Sequence, residues 1–436
     1  MTRILVLSRS VISPRMASPG VRAYQIAGAL ARALPEAEVT LGIPAGQDPV
    51  GPPEPSVRLA PYASNAEATF LASLHDVTIS RNFPPQFARL LGKTRFALDG
   101  FTPLYVEWME LSKRDIEPHW RRTWMASNRW YLNFQLTLAD FVFCADERQR
   151  DLWIGMMMAL ALVPSDVYER DPSLRKIIDL VPYGVSPRPL NPQARVLRGV
   201  VEGIAETDRI LLWNGGITEW NDVDTLFHAM ARLAARRPEV KLVFMGVDHP
   251  DFAFGPNAGV TRRAFELAEE LGLKDRTVFF RSGWVPYDRI DDYLAEADAS
   301  VCLGYENLES RFAFRTRYVD LFRARVPLLC TRGDVLADRT ASEPLGITVP
   351  ERDVDAVERG IERLLDDSEF AARCKANMAG VAEELSWDTV VQPLVEFCRR
   401  EGTFAMEPGR RRKQALGRAA MYFALKKLCR SRRLHD

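Results

Sequence analysis

The feature that most constrains this chain is its opening. A four-residue apolar run, Ile4-Leu-Val-Leu7, is followed by a loop and then by apolar residues at helical spacing. Tyr24, Ile26, Ala27, Leu30 and Leu34 mark that helix, which ends near Pro35, and Val39-Thr-Leu-Gly-Ile43 supplies the next apolar run. Short runs that are apolar throughout are covered on both faces, and two of them joined through a helix lie parallel. Further strands are read at Asp76–Ser80, Arg95–Asp99, Ala139–Ala145 and Ile177–Val185. Others are read at Arg209–Trp213, Lys241–Gly246, Thr277–Phe280, Ala299–Leu303 and Val326–Thr331. Residues 44–61, rich in Pro and Gly, read as a surface loop, and residues 186–207 as a linker. This alternation predicts an α/β fold with parallel sheets, and 436 residues suffice for two domains with separate cores.

The charge balance separates body from tail. Formal net charge is zero, yet ten of the 58 Lys and Arg residues lie within 408–435, a stretch without Asp or Glu. A mildly acidic body excludes a general nucleic-acid binder, and the tail predicts a local anionic partner. Leu416, Ala420, Phe423, Ala424 and Leu428 fall on one side of that tail, with Lys and Arg on the other. A basic amphipathic helix of this kind reads as a binder of anionic membrane surface, and a solvated basic tail is the alternative. The longest apolar run, Trp153 to Val163, falls short of a membrane span, which takes roughly 18 residues or more. The six cysteines show no metal-ligand spacing, no signal-peptide pattern precedes Ile4, and a cytoplasmic setting is expected.

The chemistry concentrates in residues 305–334. One helix's worth of residues separates two buried runs there, and its start carries Glu309, Arg311, Arg315 and Arg317. In an open α/β sheet, ligands bind where strands end and helices begin, and arginines at such a place make an anion site. A second such place follows Trp213, where Asn214-Gly215-Gly216 precedes a helix beginning near Asp222. Glycines there let a diphosphate approach backbone N–H groups.

Residues 305–334 resemble the signature region of the large retaining glycosyltransferase family 4, of GT-B fold, which includes bacterial capsule and lipopolysaccharide sugar transferases. That family carries two acidic residues separated by seven, with a proline seven positions after the second. Asp320 stands seven before Pro327 and takes the second acidic place; Phe312 occupies the first, so Glu309 serves from three residues earlier. The resemblance implies two Rossmann-like domains facing a central cleft. It places an acceptor-side domain at 1–187, a nucleotide-sugar domain at 188–388, a crossover helix at 389–407 and a basic tail at 408–436. The implied reaction moves a sugar from a nucleotide-sugar to a glycan or lipid-linked acceptor hydroxyl with retention, in bacterial surface polysaccharide synthesis. The enzyme would be peripheral at the inner face of the plasma membrane and need no metal or other cofactor.

Family members supply an Arg and a Lys just after the strand at Trp213; here that stretch is Ile217-Thr-Glu-Trp-Asn-Asp222, with neither. A buried diphosphate needs cations, and arginine meets it with paired N–H groups. The expectation is that Arg315 and Arg317, with Arg311 third, take over this task beside Gly215 and Gly216. Ion pairs of these arginines with Glu306, Glu309 or Asp320 are the alternative. By the resemblance Asp320 holds the ribose, Glu309 contacts the donor sugar, and Trp284 and Val285 line the base. His249 lies in a loop where the family contacts the donor, with a plain loop residue as its alternative. Pro19 and Gly20 form a glycine loop that turns sharply and presents N–H groups, with a plain loop-to-helix turn as the alternative. Asp99, at a strand end, is the acceptor-side group or base, with an N-cap role as its alternative. His119 is assigned no catalysis, and the Trp-rich stretch around it reads as a packed helix before a membrane or glycan face. Two other functions share this fold: a catalytically silent subunit that binds nucleotide-sugar or glycan, and a nucleotide-sugar epimerase.

Overall fold

The computed structural model describes residues 1–46, 48–247, 257–402 and 407–432. The chain divides into two compact units. The first comprises residues 1–13, 18–183 and 387–436, and the second residues 14–17 and 184–386.

The first unit is built on seven strands, β1 (Arg3–Leu7), β2 (Glu38–Pro44), β3 (Arg58–Tyr62), β4 (Val77–Ser80), β5 (Arg95–Asp99), β6 (Phe141–Cys144) and β7 (Ile178–Leu180). They lie in the order β3-β2-β1-β4-β5-β6-β7, and every pairing is parallel. Ile4 pairs with Val39 on one side and Val77 on the other. Strand β3 corrects the reading of 44–61 as loop. Pro61 sits inside it, and the strand escapes the usual penalty because it is at the sheet edge, where a missing N–H costs no ladder bond. The core packs Phe83, Phe87 and Phe96 with Phe134, Leu136 and Trp153.

The second unit has six strands, β8 (Arg209–Trp213), β9 (Val240–Phe244), β10 (Val278–Phe280), β11 (Ala299–Cys302), β12 (Leu328–Thr331) and β13 (Gly346–Val349). Their order is β10-β9-β8-β11-β12-β13, again wholly parallel. Both sheets therefore reverse their winding once, between β1 and β4 and between β8 and β11. Those two positions are where doubly wound sheets open a crevice for ligands.

The linker read at 186–207 is pinned rather than free. Backbone N–H groups of Gln193 and Ala194 donate to Asp292 Oδ1, and those of Val196, Leu197 and Arg198 donate to the Glu296 carboxylate. In place of one crossover helix, Trp387–Val390 and Gln392–Arg399 form two short helices separated at Val391, with Pro393 at the start of the second. From Trp387 onward the chain belongs to the first unit.

The C-terminal helix, Pro408–Arg432, packs along the helix Pro118–Leu138. Arg411 is wholly buried in that contact, donating to Thr137 O at 3.0 Å and Asp140 Oδ1 at 2.5 Å. Ala415 and Ala419 follow it on the same face at four-residue spacing and are buried too. Leu416, Phe423 and Leu428 stay exposed.

Candidate functional site

In the second unit, the loops leaving β8 and β11 are sewn together at the switch point. Asp222 N donates to Leu303 O at 3.1 Å and Tyr305 N to Trp220 O at 3.1 Å. The approach is close enough that a Cβ on Gly304 would lie 2.8 Å from Trp220 O, so glycine is required there. Asp222 then caps the helix Val223–Ala234, accepting from Thr225 N.

Over this seam lies a cradle built from three loops. Gly215 takes a positive φ of 128°, open only to glycine, and turns the chain beneath the Arg317 guanidinium. Arg317 Nη2 donates to Gly216 O at 3.0 Å, its guanidinium carbon stands 5.3 Å from the centroid of the Trp213 ring, and its own carbonyl accepts from Asn214 Nδ2 at 2.8 Å. Its Nη1 is buried without a hydrogen-bond partner among the described residues. Trp284 closes one side, with its ring edge 3.8 Å from where a Gly216 Cβ would stand. Val285 N lies 3.4 Å from the corresponding point on Gly246, so the backbones of these two loops run in contact. The structure thus brings together Gly215, Gly216, Arg317 and Trp284, while Val285 follows Trp284 against Gly246. Sequence reasoning missed Trp213 and Asn214, because a strand-end Trp reads as core and a lone Asn as turn.

Arg315 and Glu309 form a separate knot. Arg315 donates from Nη1 to Glu309 Oε1 at 2.9 Å and from Nη2 to Oε2 at 2.7 Å. Glu309 is 1% exposed. Burial works against the charge of Arg315, but Glu309 outweighs it and holds the guanidinium above its ordinary value. Asp334 stands beyond, capping the helix Val335–Ser342 through the amides of Leu336 and Ala337. Burial pushes its carboxyl up to about 6, against the pull of Arg315 and those amides. The cavity left between Asn221, Ser310, Arg315 and Asp334 measures about 10 Å³, room for a water molecule at most. Arg315 thus makes the ion pair with Glu309 that is the alternative to a phosphate role.

The other expected residues fall elsewhere. Asp320 lines a cavity of about 310 Å³ with Arg188, Tyr287, Asp291 and Arg323. Burial raises its carboxyl to about 6, against the pull of Arg323 and with repulsion from Asp291 adding to it. Arg311 is exposed in the last turn of the helix Leu308–Phe312. Asp99 is buried against Arg22, which donates to its two oxygens at 2.8 and 3.1 Å and to the carbonyls of Val181 and Pro182. Arg22 is also wholly buried, with the Phe101 ring 4.4 Å from its guanidinium carbon. Pro19 and Gly20 lie in the first turn of the helix Ser18–Ala33, and Gly20 has no positive φ. The sharp glycine turn expected there is absent, since proline early in a helix starts it rather than bending the chain away. His119 faces Trp120 in the helix Pro118–Leu138. His249 lies outside the described residues.

Residues 200–380 match the model of the family described as glycosyl transferases group 1. The matched stretch spans most of the second unit, which is therefore similar to that group. The chain as a whole has the GT-B fold that its sequence resembles. WaaG, a glycosyltransferase involved in lipopolysaccharide biosynthesis, matches with a TM-score of 0.60 at 16% identity over 92% of this chain and 100% of that one. Sucrose-phosphate synthase from Thermosynechococcus elongatus matches at 0.61 and 17%, over 91% and 98%. HepE from Anabaena, in complex with UDP and glucose, matches at 0.60 and 13%, over 91% and 99%. At these identities the likeness is one of fold. No curated protein matches the sequence.

Proposed function

We propose that this glycosyltransferase moves a hexose-type sugar from a nucleotide-sugar to the hydroxyl of a glycan or lipid-linked acceptor, with retention, in the synthesis of a bacterial surface polysaccharide. Arg317 carries the donor half of this reading. One arm of its guanidinium is fixed on Gly216 O, and the other, Nη1, is buried with no protein partner beside a glycine turn. A guanidinium free of any carboxylate can turn this arm to a diphosphate oxygen once the groups covering it move aside. As the bond from the sugar to the diphosphate breaks, charge grows on the leaving oxygens, and fixed N–H donors stabilise it most at that moment. The reading invokes no metal. Its retaining character and setting rest on the resemblance of residues 305–334 and on the fold shared with WaaG.

The acceptor's membrane side is supported by the C-terminal helix, whose small face is docked while Leu416, Met421, Phe423 and Leu428 stay exposed among basic residues. No helix among the described residues is long and apolar enough to cross a membrane.

One observation favours a second reading, a subunit that binds nucleotide-sugar without turning it over. Glu309, expected at the donor sugar, has its two oxygens taken by Arg315. The test is a melting-temperature screen with UDP, GDP, dTDP and their sugars on wild type and Arg317→Gln, followed by donor hydrolysis without acceptor. One nucleotide stabilises wild type, and the variant loses about tenfold or more in affinity. Equal affinity in the variant removes Arg317 from the donor site. Binding without hydrolysis or transfer selects the silent subunit.

A further inference from the structure

The first unit has its own switch point, between β1 and β4, and the residues there have the chemistry of an anion site. Val6 pairs with Ile79 in this part of the sheet, so Arg9 follows the end of one strand and Arg81 the end of its neighbour. Hydroxyl groups fix the two turns: Ser80 Oγ lies 2.9 Å from Leu7 O, Ser8 Oγ donates to Ser10 O at 2.8 Å, and Tyr62 OH donates to Ser8 O at 2.6 Å.

The two arginines have only neutral partners. Arg9 Nη2 donates to Asn65 Oδ1 at 3.1 Å, and Arg81 Nη2 donates to Thr102 Oγ1 at 2.9 Å. Neither belongs to an ion pair among the described residues, and Asp99, a carboxylate nearby in the chain, is already paired. Asp99 is held by Arg22, and Glu67 accepts from Ala63 N and Ser64 Oγ. Tyr131 shows that both cations act on one region: burial and Tyr422 raise its hydroxyl above the ordinary value, and the charges of Arg9 and Arg81 both oppose that rise. Arg9 is exposed and Arg81 half-buried, so their remaining N–H groups are open to a ligand.

Resting on the transferase reading above, we infer that this crevice holds the phosphate of a phosphate-bearing acceptor, gripped by Arg9 and Arg81. Guanidinium groups that the fold leaves uncompensated suit a dianion with three acceptor oxygens better than a neutral glycan. The phosphate can belong to a free sugar phosphate or to a lipid.

The test is calorimetric titration of the full chain with glucose 6-phosphate and, separately, with monomeric dihexanoyl phosphatidic acid, glucose serving as the uncharged control. At least one phosphate probe should bind where glucose does not. Arg9→Gln with Arg81→Gln should weaken that binding by about tenfold or more, and Arg317→Gln should leave it unchanged. Binding of the sugar phosphate alone assigns a soluble acceptor, and binding of the lipid alone a lipid phosphate. The inference is overturned if neither probe binds, if the double variant binds as tightly as wild type, or if Arg317→Gln abolishes the binding. The double variant alters exposed and half-buried side chains, so its melting temperature without ligand should match wild type and its response to nucleotide should persist. A chain that binds the phosphate probe but no nucleotide refutes the donor reading and leaves this site standing.

Discussion

Arg315 and Arg317 stand two residues apart where the helix Thr316–Ala324 begins, and their surroundings could hardly differ more. Arg315 turns into a knot with Glu309, beside Asp334 and a cavity that admits no ligand. Arg317 lies over the Trp213 ring and a glycine turn, touches backbone carbonyl rather than carboxylate, and keeps Nη1 unbonded. A cation is available to a ligand only where the fold has not already neutralised it. Spacing along the sequence makes the two arginines look equivalent, and the carboxylate within reach of one of them breaks the equivalence.

The largest effect is expected in the knot. Arg315→Ala leaves Glu309 buried without its partner, a change that costs about 3–5 kcal/mol. In thermal unfolding, the transition of the second unit should fall by roughly 10 °C. If the variant instead melts like wild type and loses nucleotide affinity, Arg315 is a phosphate ligand after all and the contrast with Arg317 collapses.

Asp334 sharpens the same contrast with an effect of opposite sign. Its carboxyl is raised in the folded state from 3.8 to about 6, so the fold holds its proton more tightly than the unfolded chain does. That contribution is fully present below 3.8 and is lost as pH rises through about 6. At pH 8 the charged form costs the fold at most about 3 kcal/mol. Asp334→Asn keeps the oxygen that accepts from Leu336 and Ala337 and carries no charge. It should therefore be more stable than wild type at pH 8 and equal to it in acid, the gap opening between 3.8 and about 6 in urea melts taken across pH. A variant less stable at pH 8 would mean that Arg315 needs two carboxylates, making the knot a triad.

The fold was legible wherever a run is apolar on both faces. Ile4–Leu7, Arg95–Asp99 and Arg209–Trp213 needed only their composition, because a parallel strand covered by helices admits little else. Strand β3 was hidden by Pro61, whose meaning depends on the edge position and not on the sequence. The site divided in the same way. Glycines after a strand announce a turn, and Gly215, Gly216 and Arg317 do meet. Asp99 and Glu309 carried the chemistry expected of them, yet each is buried against an arginine: Glu309 against Arg315, 6 residues on and open from the sequence as an alternative, and Asp99 against Arg22, 77 residues away and linked to it by no local pattern. The tail was legible as an amphipathic helix, but Arg411 reads as one more surface charge until Asp140 is seen beneath it.

The smallest effects separate the two glycines of the cradle. Gly215 is there for the backbone: its φ of 128° is strained for any other residue, while an added Cβ would meet the Arg317 guanidinium carbon at an ordinary 3.6 Å. Gly215→Ala should thus cost about 2 kcal/mol of stability through its dihedral alone. Gly216 has no positive φ, and an added Cβ finds only the Trp284 ring at 3.8 Å, so Gly216→Ala should leave stability within about 0.5 kcal/mol of wild type. Its methyl would, however, stand in the space between the loop and Trp284, where the proposed diphosphate must come close to the backbone. If the cradle is a phosphate site, Gly216→Ala weakens nucleotide binding with no change in melting temperature of the free protein. If affinity is unchanged, the glycine pair serves only to seat Arg317, and the phosphates are held by that arginine without the help of the loop.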